Sequence, residues 1–162
     1  AVKEAVQDGF PILVKINSED LLDGGFARED MLTVCGMLEA AGIDAIELSG
    51  GTALGLIINN PEITFTPTKN ATAYWRQSAE DYKKHFKTPL ILVGGIRTYE
   101  GAEELVESGV ADYLALCRPL IREPDLIARW RNGDRRKADC ISDNGCLQPT
   151  DKRTGTHCIN LD

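Results

Sequence analysis

LILVGGIRTYEGAEEL, residues 90–105, runs from four aliphatic residues through a bare glycine pair into a helical repeat. A short apolar run bounded by glycine suits a strand buried on both faces. Beyond it, Ala102, Leu105 and Val106 fall on one stripe at helical spacing, with Thr98 placed to N-cap and Gly109 to stop the helix. The stretch therefore reads as one βα unit. Its glycines, Gly94 and Gly95, sit at the carboxyl end of the strand, where a side chain would stand in the way of something.

The same unit recurs on either side. PILVKIN, residues 11–17, is a second apolar run, followed by Met31, Val34, Cys35, Leu38 and Ala41 at helical spacing up to Gly42. IDAIELS, residues 43–49, ends at Gly50-Gly51, and after a loop broken by Asn59-Asn60-Pro61 and Pro67 a helix is expected over 72–87, with Trp75, Ala79, Tyr82 and Phe86 on its inner face. ADYLAL, residues 111–116, is the last strand, and its helix starts near Pro124 with Leu126, Ile127 and Trp130 inward, ending at Asn132-Gly133. Val2 and Val6, in phase, read as the tail of an earlier helix. Four βα units force parallel strands with helical crossovers, either in an open doubly wound sheet or in a closed barrel. An eight-stranded barrel takes about 250 residues, so four units in 162 residues are half of one.

Composition narrows the function classes. The net charge of −7 argues against a broad basic face for nucleic acid, while leaving room for a local cationic pocket. No apolar run reaches the ~20 residues that cross a bilayer, and AVKEAVQDGF lacks a signal-peptide layout, so a cytoplasmic protein without membrane partners is expected. Five cysteines without that leader do not read as a secreted disulfide framework. Cys35 and Cys117 lie in apolar stretches and are expected to be buried; Cys140, Cys146 and Cys158 crowd a polar tail.

Barrels of this class often hold a phosphate on the loops after their last two strands. Here those loops carry Gly94-Gly95-Ile96 and Cys117-Arg118-Pro119. Glycine lets backbone N–H groups approach an anion, and a guanidinium adds a permanent bidentate clamp. A tight strand-to-helix turn explains the glycine pair equally simply, and both readings stay open at this stage. Lys15 is a charge inside an apolar strand, costly unless paired. It shares a face with Leu13 and Asn17, and Glu47 in the neighbouring strand is its natural partner.

PILVKINSEDLLDGG, GIDAIELSGG and LILVGGIRTYEGAEELVESGVADYLALCRPLIREPDLIARW, in this order and spacing over residues 1–135, resemble the C-terminal half of the old yellow enzyme family of FMN-dependent NADH:flavin oxidoreductases, in particular its 2,4-dienoyl-CoA reductase branch. The resemblance implies a (β/α)8 barrel with FMN at its C-terminal mouth, this chain supplying strands five to eight and an irregular tail over 136–162. It implies that Lys15 lies near flavin N1 and O2, that Gly95 and Ile96 offer backbone amides to the FMN phosphate, and that Arg118 holds that phosphate, with Gly94 and Cys117 in the same cofactor-binding turns. Cys117 stands where the family has glycine, which puts the local phosphate geometry in question. NAD(P)H would reduce the flavin and an activated alkene or enone would accept the hydride. The N-terminal half would carry the substrate-binding His/Asn pair and the proton-donating Tyr; no residue here matches them, so no catalytic residue is assigned.

The tail reads Cys140-x2-Asp143-x2-Cys146-x11-Cys158, with His157 beside the last thiol. Relatives in the dienoyl-CoA reductase and trimethylamine dehydrogenase branches have a similar four-cysteine pattern that holds a [4Fe–4S] cluster. Asp143, a hard ligand, stands where the second soft thiolate would be. A cluster with one carboxylate ligand, a zinc site and a structural tail without metal are the three readings. Two other functional classes compete with the flavoprotein: a phosphate-binding barrel without redox chemistry, and a non-catalytic half-barrel. An isolated half-barrel would expose sheet edges and an apolar lumen, so a homo-oligomer is expected.

Overall fold

The computed structural model describes residues 1–52, 72–147 and 155–160. The breakers at Asn59-Asn60-Pro61 and Pro67 fall outside the described residues. Along the chain run α1 (Val2–Ala5), β1 (Leu13–Asn17), α2 (Arg28–Ala40), β2 (Ala45–Ser49), α3 (Arg76–His85), β3 (Leu90–Val93), α4 (Tyr99–Glu107), β4 (Tyr113–Ala115), α5 (Arg118–Arg122) and α6 (Leu126–Arg131), then a 3-10 turn at Gly145–Leu147. The strands form one parallel sheet in the order β1-β2-β3-β4, each βα unit adding its strand beside the one before. This is the half-barrel expected from the four units.

The two faces of the sheet differ, as successive side chains on a strand point to opposite faces. Ile46, Leu48, Leu90 and Leu92 are fully buried under α2, α3 and α4, packed with Met31, Cys35, Ala79, Tyr82 and Leu105. The opposite face carries the register row Lys15, Glu47, Ile91, Tyr113. Leu13 and Tyr113 on that face are 53% and 61% exposed, so the future lumen is open. Lys15 and Glu47 stand side by side there and form an ion pair.

Several local expectations shift. β3 spans the whole apolar run 90–93, whereas β1 and β2 are two residues and β4 three residues shorter than theirs, because the ladder begins only where neighbouring strands come into register. Helix α3 starts at Arg76; Ala73, at φ +47°, turns the chain, and Trp75 ends up as a buried N-cap residue rather than on the helical stripe. Thr98 caps α4 as expected, its hydroxyl accepting from Gly101 N–H at 3.2 Å. Helix α1 buries nothing, and Ile127 is 42% exposed although Leu126 and Trp130 are buried as expected. Helix α5 went unforeseen, since five residues are too few to show a period.

Candidate functional site: an anion cradle at the carboxyl ends of β3 and β4

Gly94 and Gly95 both have left-handed backbones, at φ +114° and +73°. A β-carbon on Gly95 would lie 2.5 Å from Tyr74 Cε1, and one on Gly94 would lie 3.1 Å from Trp75 Cδ1. The Tyr74 N–H donates to the Gly94 carbonyl at 3.2 Å, holding the aromatic turn against the pair. What the bare backbone accommodates on that side is thus an aromatic pair, and any anion approaches from the other side.

On that other side the two turns meet. Val93, Gly94, Gly95, Ile96 and Arg97 from the β3 end, and Ala115 to Pro119 from the β4 end, line one cavity of about 80 Å³, with Ser142 from the tail as a third wall. That is space for several heavy atoms. Arg97 is 3% exposed; its Nη1 donates to Ser142 Oγ at 2.9 Å, and its carbonyl accepts from Ala138 N–H at 2.8 Å. Arg118, the first residue of α5, donates from Nη1 to Asn144 Oδ1 at 2.5 Å. Two guanidiniums, each oriented by a polar partner in residues 142–144, therefore flank the cavity. Arg97 and Ser142 were not singled out from the sequence. An arginine directly after an apolar strand and its glycines was the available signal; nothing local marks Ser142.

Cys117 is exposed at the mouth of this cavity, contrary to the expectation of burial. It is the N-cap residue of α5, two positions beyond the end of β4, and so no longer part of the sheet. Cys35 is buried as expected, and burial pushes its thiol up to about 11. The lumen face adds a polar ladder: the Lys15–Glu47 pair, then Asn17 and Ser49 one step toward the same rim. Ser49 Oγ donates to Asn17 Oδ1 at 3.3 Å, and Asn17 Nδ2 donates to Asp20 Oδ1 at 3.0 Å and to the Gly51 carbonyl at 2.9 Å.

Cys140, Cys146 and Cys158 line a second cavity of about 130 Å³ together with Asp143, Arg118 and Arg122. Burial raises the Cys146 thiol above its ordinary range, against the pull of Arg118. Although they share a cavity, among the described residues no three His, Cys, Asp or Glu side chains come together as a metal-ligand set. His85 is exposed and His157 half-buried. Tyr82 is buried and donates to the Thr88 carbonyl at 2.9 Å, so it serves the core.

A parallel βα half-barrel with glycine, guanidinium and backbone N–H groups gathered at its carboxyl rim places the chain among proteins of the (β/α)8 barrel class. The sequence profile of the NADH:flavin oxidoreductase / NADH oxidase family matches residues 1–137, and the chain belongs to that family. It is 31% identical over 148 residues to the NADH oxidase of Thermoanaerobacter brockii, an alignment covering 90% of this chain and 22% of that protein. Its fold superposes on 2-naphthoyl-CoA reductase with a TM-score of 0.73 at 26% identity, covering 91% of this chain and 21% of that one. The old yellow enzyme homologue of Zymomonas mobilis superposes with a TM-score of 0.52 at 26% identity, over 77% of this chain and 32% of that one. The chain thus spans less than half the length of the relatives it matches, from 17% to 46% of the curated proteins.

Proposed function

We propose that this chain supplies the FMN phosphate-binding half of an NAD(P)H-dependent flavin oxidoreductase of the old yellow enzyme type. The convergence of the β3 and β4 turns on one small cavity flanked by Arg97 and Arg118 carries the reading. The backbone amides around Gly95 and Ile96 would face the phosphate, and Arg118 would neutralise its charge while Asn144 holds the guanidinium in place. Cys117 exposes its side chain instead of filling the cradle, so the substitution is compatible with phosphate at this rim. Lys15, paired with Glu47 on the lumen face, would be the cation near flavin N1 and O2. Bound FMN supplies hydride chemistry between a nicotinamide and an activated alkene or enone. The second half of the barrel, with the substrate-binding residues, would close against the bare face of the sheet.

A phosphate-binding barrel without redox chemistry would share the cavity and would use Lys15 only as the ion-pair partner of Glu47. The full-length protein tests the reading. Wild type is expected to purify with flavin absorbance at about 450 nm, a general property of flavins. Arg118→Ala should weaken FMN binding at least about tenfold, or ~1.4 kcal/mol, measured by fluorescence titration. A protein that takes up no FMN on reconstitution overturns the proposal.

A further inference from the structure

We propose that Asp143, and not a metal, ties the cysteine-bearing segment together. Both oxygens of this carboxylate are engaged: Oδ1 accepts from Gly145 N–H at 3.1 Å, and Oδ2 accepts from Asn160 Nδ2 at 2.7 Å. The first bond closes the turn into the Gly145–Leu147 helix; the second reaches the segment that carries Cys158. Asn160 in turn accepts, on its carbonyl, a hydrogen bond from the Arg122 guanidinium of α5. One carboxylate and one amide therefore join the three pieces of chain that surround the thiol-lined cavity. The flank before Asp143 is anchored separately: Asp139 N–H donates to Glu123 Oε1, and Arg97 Nη1 donates to Ser142 Oγ.

An iron–sulfur cluster or zinc would need these same pieces joined through sulfur. The donor set does not fit that role. Asp143 would have to surrender two charge-assisted hydrogen bonds to become a ligand, and the ligand it would become is hard where cluster iron wants thiolate. Cys140, Cys146 and Cys158 are free thiols lining a common cavity without converging on a point. A polar latch joins the pieces of chain that a metal site would otherwise have to join.

The test uses the full-length protein, expressed with iron and zinc in the medium and purified anaerobically. Iron, acid-labile sulfide and zinc are each expected well below one per chain. Asp143→Ala should accelerate labelling of Cys146 and Cys158 by a small aromatic disulfide reagent at least about tenfold, the scale of losing one bond to a charged acceptor, while buried Cys35 keeps its rate. If Asp143→Ala fails to accumulate, Asp143→Asn, which keeps one acceptor oxygen, gives the same reading at smaller amplitude. Stoichiometric iron with sulfide, or stoichiometric zinc, overturns the proposal. So do unchanged labelling rates in a metal-free protein.

Discussion

Gly95 shows how one residue serves two constraints. Its backbone needs a left-handed φ, and the space where a β-carbon would go is filled by the Tyr74 ring. Gly95→Ala therefore combines backbone strain with an aromatic clash, and should cost about 1–3 kcal/mol. The expected outcome is a melting temperature several degrees lower, recovered in part by adding Tyr74→Ala; an unchanged melting temperature would contradict the packing described. The glycine pair itself stood out in the sequence, but its aromatic neighbour did not. Tyr74 lies 21 residues earlier, and only the folding of the intervening chain brings it against the turn.

Among the elements, the join between α2 and β3 shows how helices set the sheet. Glu39, near the end of α2, accepts through Oε2 from Thr88 N–H at 2.7 Å, Thr88 Oγ1 at 2.8 Å and Lys87 N–H at 2.9 Å. It thereby positions the turn that enters β3 and so the rim that carries Gly94. These donors, the Thr88 backbone N–H foremost, hold the Glu39 carboxyl below its ordinary range. A carboxylate whose folded pKa is depressed contributes stability above its unfolded pKa, near 4.3, and loses it as pH falls through the lower folded value. Wild type should therefore be more stable than Glu39→Gln at neutral pH, with the gap closing below about pH 4. Thermal melts across that range check it, and a gap that widens toward acid would refute the assignment. The helices and strands were legible as periodic runs. Helix α5 and the cap at Trp75 were not, because neither is long enough for periodicity to register.

At the scale of the whole molecule, the sheet has one finished face and one unfinished one. The finished face holds Ile46, Leu48, Leu90 and Leu92 at zero exposure. The unfinished face shows Leu13, Tyr113 and the half-buried Ile91 and Val93, with β1 and β4 as edges of the described sheet. Open edges beside an apolar face favour association. The 162-residue chain expressed by itself should sediment as a dimer or larger at micromolar concentration, and a monomer over that range would count against the open-lumen description. No helix among the described residues is long and apolar enough to cross a membrane.

The order of βα units, the parallel sheet and the family could be read from the residues alone, because hydrophobic periodicity and turn chemistry are local properties. The pairing of Lys15 with Glu47 was legible too, since a charge in an apolar strand demands a partner on the same face. The candidate cradle was only half legible: Gly95 and Arg118 stand out in the sequence, whereas Arg97 is bonded to Ala138 and Ser142, which lie 41 and 45 residues further along. The role of Asp143 depended wholly on tertiary structure. A carboxylate in a cysteine pattern reads as a ligand or as a lost one, and which it is depends on hydrogen-bond donors that only the folded chain brings within reach.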